Sequence, residues 1–460
     1  MRRGFRLAGV PLVVILVVAG CSSSATPTSS FASSNQTPAA GQSGSASYKP
    51  VTLTFWTTLT VSAQSTLIQQ QAQTCANQLG NITLDFQAVS QGAYPKLLAA
   101  IQAGSPPNLF NADDKAVAFG QAANGLAPVD DVISNLGASA FMPRMINAVK
   151  KDGHTWAVPD WALHQEVWYR KDLFAAKGLA VPKSWDELLA DAKALDQGPT
   201  GIRGMAMPLS TVQVAAQMLY SFLYSEGVYT FDPTTGQYEF GSKLPEVQNA
   251  IQFMVDAYQE VSPPDSLTWS WTDFRTAFVH DKVAMTLDYG SVVGQAASEN
   301  PSLLPDIGAF ELPGPDPNTP PPAVLGGGYY YMIGKGTADQ ITASKALLEC
   351  MYSPTYAAER ALTRPIFAFP ALQSAMQTSV YKDNATIKEF QSIADMIVTD
   401  ELPNEYRYGM EAGLNKLAAQ IDATTFVGDD LQAAATGKMT AAAAAADINK
   451  QLQSQINSGS

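Results

Sequence analysis

The sequence predicts an α/β protein built as two lobes, and three observations indicate this. The chain has 460 residues, which is too long for one ordinary compact core. Apolar residues make up 46% of it and charged residues only 15%, a balance typical of a well-buried globular protein. From residue 51 onward, strand patterns alternate with helix patterns, which favours a mainly parallel sheet covered by helices.

The N-terminus reads as an export signal followed by a linker. Three arginines precede an apolar run that is too short to span a bilayer comfortably, and small residues then lead into Cys21. This resembles a bacterial lipoprotein signal over residues 1–20, which would leave a lipid on Cys21; the alternative is an ordinary secretory signal. Residues 21–49 are rich in Ser, Thr, Ala and Pro, and they predict a disordered tether that holds the protein at the extracytoplasmic face of the membrane.

The first folded segment predicts a β-α-β-α-β order. Residues 51–55 alternate as a strand, residues 63–79 follow a helical pattern, and residues 82–90 form a second strand. A helix ending near Gly104 precedes a third short strand that runs into Asp113 and Asp114. In such sheets ligands bind beyond the carboxyl ends of the strands, so the loops at 56–60, 92–94 and 111–114 are expected to face a site.

The second half of the chain continues the alternation. Ser184 and Glu187 form a capping box at the start of a helix whose buried face includes Trp185. A strand is predicted over 283–287, and a Pro-rich loop leads into another strand that contains three consecutive tyrosines. The remainder reads as helical. Cys75 and Cys350 both lie in helical patterns, and outside the cell they either pair or remain two separate buried thiols.

Several function classes are disfavoured. A net charge of −13 argues against a general nucleic-acid or anionic-membrane binder. No G-x-S-x-G motif and no plausible Cys–His set is present, so we expect no enzymatic activity. His154 and His164 lie ten residues apart without a third partner nearby, so neither a metal site nor a cofactor is predicted.

The order of motifs resembles a known family. The matching stretches are "LTFWTTLT", "AAIQAGSPPNLFNADD", "GLAPVDDVI", "TWAVP…VWYRKDLFAAKGLAVPKSWDELLADAKAL", "FVHDKVAMTLDYGS", "LGGGYYYMI" and "ATGKMTAAAAAADINKQL". In this order, from about residue 51 to 455, they resemble the extracellular solute-binding proteins of sugar-type ABC importers, the group that includes the maltose- and glycerol-3-phosphate-binding proteins.

The resemblance implies a two-lobe periplasmic-binding-protein-like fold of type II. The N-terminal lobe would comprise residues 50–164 and 324–353, and the C-terminal lobe residues 165–323 and 354–455. A small solute would bind in the cleft, the lobes would close about a hinge, and a membrane permease would recognise the closed form. The protein would act as a monomer.

Candidate ligand contacts follow from both lines of reasoning. By resemblance, Tyr94, Asp113, Ser291, Gly327 and Arg407 match contact positions of the glycerol-3-phosphate-binding branch. Aromatic residues at cleft-facing places add Trp56, Tyr329 and Trp161, and His164 lies in the same crossover as Trp161. Trp156 and Trp168 are interpreted as core residues at the two ends of that crossover.

The sequence leaves two interpretations of the ligand class. A mono- to oligosaccharide is the leading interpretation, because aromatic faces and neutral polar groups suit sugars. Glycerol-3-phosphate or a glycerophosphodiester is the alternative. Phe367 and Phe369 occupy the region where the phosphoglycerol branch carries a tyrosine, and Arg364 nearby could substitute for it.

Overall fold

The computed structural model describes residues 48–89, 92–211 and 213–458. The predicted signal at 1–20, the lipidation site Cys21 and most of the predicted tether therefore lie outside the described residues. One residue of the predicted tether, Tyr48, belongs to the folded part. Tyr48 is buried and its hydroxyl donates to the carbonyl of Gly80, because the folded part already begins there.

The strands and helices follow one another along the whole described chain. The strands are β1 (Val51–Thr57), β2 (Ile82–Ala88), β3 (Leu109–Asp113), β4 (Leu126–Ala127), β5 (Lys150–Lys151), β6 (His154–Thr155), β7 (Val158–His164), β8 (Glu166–Arg170), β9 (Met285–Asp288), β10 (Ile307–Phe310), β11 (Val324–Gly334), β12 (Phe369–Pro370) and β13 (Glu405–Tyr406). The helices are α1 (Ser62–Leu79), α2 (Ala93–Gln102), α3 (Asp114–Ala122), α4 (Asp130–Leu136), α5 (Pro143–Ala148), α6 (Lys171–Lys177), α7 (Trp185–Leu195), α8 (Gln213–Ser225), α9 (Leu244–Val261), α10 (Trp271–Val279), α11 (Ser291–Glu299), α12 (Ala338–Met351), α13 (Pro354–Ala361), α14 (Ser379–Lys382), α15 (Ala385–Glu389), α16 (Gln391–Met396), α17 (Leu417–Asp422), α18 (Phe426–Ala435) and α19 (Ala441–Ser458).

A large mixed sheet organises the first part of the molecule. Its strand order is β12-β7-β11-β3-β1-β2, and both β4 and β13 also pair with β11. The predicted β-α-β-α-β order is confirmed, because β1 pairs in parallel with β2 and β3. Leu53 and Phe55 of β1 are fully buried, as the alternating pattern predicts. The later strands β7 and β11 run antiparallel to their neighbours, which makes the sheet mixed.

A second, smaller sheet differs from the predicted mainly parallel arrangement. It has the order β10-β8-β9, and both pairings are antiparallel. The chain passes from the large sheet to this one at Gln165, between β7 and β8. The sequence could not show these directions, because β8 pairs with strands more than 100 residues away in the chain.

Later segments return to the large sheet. β12 pairs with β7, and β13 pairs with β11, although both lie within the 354–455 segment that was assigned to the C-terminal lobe. A disulfide joins Cys75 of α1 to Cys350 of α12, which decides between the two alternatives that the sequence left open. Within the described ranges, no helix is both long and apolar enough to cross a membrane.

Candidate functional site

A cavity of about 320 Å³ lies where the large sheet faces helices α8 and α10. The end of β3 and the start of α3 supply one wall, and β11 supplies the floor with Gly326–Tyr329. The full lining is Asp113, Asp114, Lys115, Leu163, Gln213, Gln217, Trp271, Arg275, Tyr289, Gly326, Gly327, Gly328, Tyr329, Arg364, Phe367 and Arg407. The carboxyl end of a parallel strand thus points into the site, as expected for such sheets.

Buried ion pairs hold one side of the cavity. Arg407 donates to Asp422 at 2.6 Å and lies 3.6 Å from Asp114, while Lys115 donates to Asp422 at 2.8 Å. Burial lowers the pKa of Lys115, but Asp113 and Asp422 outweigh it and raise that pKa above its usual value. These cations are already neutralised by the protein's own carboxylates, so they position the wall rather than offer a free charge.

Asp114 is a buried acceptor in this wall. Burial raises the pKa of its carboxyl to about 6, and Arg407 partly opposes that effect. The backbone N–H of Gly328 donates to its Oδ2 at 3.4 Å. A Cβ atom on Gly327 would lie 2.7 Å from the same oxygen, so any larger residue here would displace this carboxylate.

Asp113 and Tyr94 connect the cavity to its neighbour. The Tyr94 hydroxyl donates to Asp113, which also accepts from the backbone N–H of Ala116 and so caps α3. Burial raises the pKa of Tyr94 well above its usual value, with Asp113 adding to the effect. Tyr94 lines an adjoining, mainly apolar cavity of about 400 Å³ that shares Lys115 and Gln213 with the first one.

Aromatic rings cover another face of the cavity. Tyr329 and Phe367 line it, and Trp161 lies behind both, stacked on Tyr329 with ring centroids 4.3 Å apart. Trp271 and Tyr289 also line the cavity, with ring centroids 5.4 Å apart. Faces of this kind bind the C–H surfaces of sugars.

Arg364 differs from the other cations of the cavity. Its guanidinium donates to the Ser291 hydroxyl at 2.7 Å and lies over the Phe367 ring. Arg275, by contrast, forms an ion pair with Asp288. Burial lowers the pKa of Arg364 to about 10, and Arg275 adds to this. Among the described residues that line the cavity, Arg364 is the cation without a carboxylate partner.

The structure brings some of the predicted contacts together. Asp113, Gly327, Tyr329 and Arg407 line the main cavity, while Tyr94 lines the adjoining one. Ser291 lines a neighbouring cavity that shares Arg275, Arg364 and Phe367 with the main one.

Three predicted residues occupy other places. Trp161 is only 1% exposed, because Tyr329 and Phe367 cover it, so its expected exposure in the cleft is wrong. His164 points away from the cavity, because alternate residues of a strand face opposite sides and Leu163 faces the cavity. Trp56 packs edge-on against Phe110 and is not part of the described lining.

Other lining residues were not identified from the sequence. Gln213 and Gln217 of α8, and Trp271 and Arg275 of α10, reach the cavity only through the packing of these helices against the large sheet. No local motif marks them. Lys115 directly follows the Asp113–Asp114 pair, and this adjacency was the one sequence feature that could have indicated a lining residue.

Comparison with known proteins identifies the family. Residues 60–358 match the model of the bacterial extracellular solute-binding protein family, and the chain belongs to that family. It is 25% identical over 334 residues to YcjN of Escherichia coli (strain K12), and the match covers 71% of this chain and 74% of that protein. YcjN is provisionally named as an ABC transporter periplasmic-binding protein. It is 22% identical to the diacetylchitobiose-binding protein DasA of Streptomyces coelicolor, over 51% of this chain and 54% of that one.

Solved structures show the same two-lobe fold. Maltose-bound MalE3 of T. maritima superposes with a TM-score of 0.70 at 21% identity, covering 87% of this chain and 99% of that one. A sugar transporter from Arthrobacter chlorophenolicus A6 with bound laminaribiose gives a TM-score of 0.70 at 19% identity, covering 88% and 99%. The family and these neighbours are binding proteins, not enzymes, and the chain is accordingly a solute-binding protein of an ABC transporter.

Proposed function

We propose that this protein captures a carbohydrate, of mono- to oligosaccharide size, by closure of two lobes and delivers it to an ABC permease. The observation that carries the proposal is the cavity itself. It combines the aromatic faces of Tyr329, Phe367 and Trp271 with the neutral amides of Gln213 and Gln217 and a buried carboxylate acceptor. Aromatic faces take the C–H surface of a sugar ring, and the polar groups take its hydroxyls.

The structural neighbours support this reading. The two solved proteins described above hold maltose and laminaribiose, and both are neutral disaccharides. Two adjoining cavities of about 320 and 400 Å³ share lining residues and leave room for more than one sugar unit.

A second candidate is glycerol-3-phosphate or a glycerophosphodiester. Arg364 supports it, because a partly buried cation without a carboxylate partner is stabilised by a ligand's phosphate. Arg407, which matched the phosphate-side arginine of that branch, already binds Asp422 and lies near Asp114. The phosphate would therefore meet Arg364 and Ser291, not Arg407.

The cellular setting is part of the same proposal. Cys21 would carry the lipid that anchors the protein at the extracytoplasmic face of the membrane, and the Ser-, Thr-, Ala- and Pro-rich linker would hold the folded part above it. The protein would act as a monomer that hands its solute to the permease and performs no chemistry on it.

Isothermal titration calorimetry with two ligand sets tests the ligand class. Neutral di- and trisaccharides form one set, and glycerol-3-phosphate with glycerophosphodiesters forms the other. Tyr329→Ala should weaken sugar binding at least tenfold, because the ligand loses its contact with a ring face, which contributes about 1–3 kcal/mol to the binding free energy. The control is Tyr258→Ala, whose ring lies on α9 outside the cavity lining and which should bind as wild type.

Arg364→Gln separates the two candidates. For a neutral sugar the affinity should change less than threefold, whereas for a phosphate ligand it should fall at least tenfold. Release of hydrolysis products from any ligand would contradict the binding-protein reading. Binding of neither set would contradict both candidates.

A further inference from the structure

A buried cluster of an imidazole and two carboxylates lies at the crossover between the two sheets. His164 is the last residue of β7, and Glu166 is the first residue of β8. Glu401 ends a π-helical turn over Ile397–Glu401 that packs against them. The side chains of His164, Glu166 and Glu401 are 2%, 0% and 0% exposed, so water does not reach them.

The three side chains converge on one point. His164 Nδ1 contacts Glu166 Oε1 and lies 2.9 Å from Glu401 Oε2. One ligating atom from each residue lies within 4.8 Å of the other two. The second oxygen of Glu166, Oε2, accepts a hydrogen bond from Trp168 Nε1 at 3.1 Å, which orients the carboxylate and leaves Oε1 directed at the cluster.

Five polar atoms of this cluster have no hydrogen-bond partner in the part of the chain that the structure describes. This holds for both ring nitrogens of His164, for Glu166 Oε1 and for both oxygens of Glu401. A single Nδ1 hydrogen cannot point at two carboxylates at once, and the contacts do not meet hydrogen-bond geometry. Buried polar atoms without partners are costly, and native proteins rarely leave several of them together.

The donor chemistry of the cluster matches a divalent cation. In the protonation state in which all three side chains can act as ligands, the imidazole is neutral and both carboxylates are ionised, and a divalent cation would balance those two charges. Nitrogen from one histidine with oxygen from two carboxylates is a donor set that suits zinc and related transition metals. The indole that holds Glu166 in place is the kind of outer group that orients metal ligands in proteins.

We propose that His164, Glu166 and Glu401 bind a divalent transition-metal ion, with zinc as the best match to the donor set. The ion ties the β7–β8 crossover to the Ile397–Glu401 turn and thereby fixes the segment on which the two sheets are joined. The site is distinct from the solute cavity, because His164 faces away from Leu163, which lines that cavity. This proposal does not depend on the identity of the solute.

Metal analysis of the full chain tests it. The protein is produced without a histidine tag in medium containing Zn²⁺, exchanged into metal-free buffer and analysed by inductively coupled plasma mass spectrometry. We expect close to one zinc per chain for the wild type and less than 0.2 for Glu401→Gln, which keeps the side-chain volume but removes the charge. His280→Ala, which removes an exposed histidine paired with Glu299, is the matched control and should keep the metal.

A second measurement covers the case in which a variant does not fold. Wild-type protein produced with Co²⁺ in place of Zn²⁺ should show the visible absorption bands of a cobalt ion bound by nitrogen and oxygen. Less than 0.1 metal per chain together with no cobalt bands in the folded wild type would overturn the proposal, and so would equal zinc content in Glu401→Gln and wild type. Either result would mean that protonation of these side chains, and not a metal ion, balances their charges.

Discussion

Trp161 shows that a side chain on the cavity side of a strand does not necessarily reach the cavity. It lies on the cavity side of β7, as Leu163 does, but Tyr329 and Phe367 lie between it and the cavity. Its ring therefore supports the aromatic face from behind. The sequence placed Trp161 in the right strand, but it could not show that two other rings, from segments more than 150 residues away, cover it.

Trp161→Ala should reduce both stability and solute affinity. The ring is 1% exposed, and its removal leaves a cavity that costs about 3–5 kcal/mol. Tyr329 loses its stacking partner, so the affinity should fall about tenfold. Urea unfolding and calorimetry check the two effects. This replaces the sequence-based expectation that binding would weaken with little loss of stability.

Trp161→Phe is the matched control, because it keeps a ring under Tyr329 and should lose less than half of either effect. Trp156→Ala provides a comparison outside the cavity. Trp156 is partly exposed and donates to the Lys151 carbonyl, so its loss should leave the affinity unchanged. Normal stability in Trp161→Ala would contradict the buried position of its ring.

Asp114 predicts a pH dependence with a definite sign. Its folded pKa of about 6 lies above its unfolded value of 3.8, so the folded state binds the proton more tightly between those values. The stability that this group contributes is present at low pH and is lost as the pH rises from about 4 to 6, by about 3 kcal/mol at most. Solute affinity should instead increase as the pH rises through this range, because sugar hydroxyls donate to the ionised carboxylate.

Unfolding curves and calorimetry between pH 4.5 and 7.5 measure both slopes. In Asp114→Asn the stability slope should lose the contribution of Asp114 while other carboxyls with raised pKa values, such as Asp430 and Glu226, keep theirs, and the affinity slope should flatten, because the amide does not titrate. The comparison uses slopes and not absolute values, since the substitution also removes one acidic neighbour of Arg407. An affinity that rises on acidification would contradict the role of Asp114 as an acceptor.

At the scale of elements, the sequence predicted the features that depend on neighbouring residues in the chain. The Ser184 cap, the buried face of α7 and the parallel pairing of β1 with β2 depend on neighbours in the chain or on alternation, and they are confirmed. The predicted capping box is only half formed, because the Glu187 carboxylate accepts from the backbone N–H of Lys183 and not from that of Ser184. The antiparallel directions of β8, β9 and β10 depend on pairing between distant segments, which no window of sequence contains.

The disulfide between α1 and α12 should contribute strongly to stability. It links Cys75 and Cys350 across 275 residues, and a closed loop of that length predicts about 5 kcal/mol from restriction of the unfolded chain. The double variant Cys75→Ala/Cys350→Ala should unfold at a clearly lower urea concentration. Its solute affinity should stay within twofold of wild type, because neither helix lines the cavity.

Chemical reduction of the wild type is the companion experiment, and it should reproduce the loss of stability without any change of side-chain volume. Unchanged unfolding after complete reduction would show that the pairing adds nothing to the native state. A large fall in affinity would place α1 and α12 closer to solute binding than the structure does.

At the scale of the whole molecule, the family resemblance predicted more than any local reading. It implied the two-lobe α/β fold that the comparisons show, and it pointed to a cleft at the end of β3, where the cavity lies. Several lining residues could not be found in this way. Gln213, Trp271 and Arg364 come from three separate segments, and only tertiary packing brings them to one cavity.

Solute binding should make the molecule more compact. The cavity is lined on one side by β3, α3 and β11 and on the other by α8 and α10, so a bound sugar that contacts both sides draws them together. Small-angle X-ray scattering should show the radius of gyration fall at saturating solute. At a solute concentration close to the wild-type Kd, Tyr329→Ala should show much less of this change than the wild type, and should regain it once more solute restores occupancy. If calorimetry shows the wild type saturated while its scattering stays the same, then closure does not accompany binding, and the permease must recognise the bound solute without a change of shape.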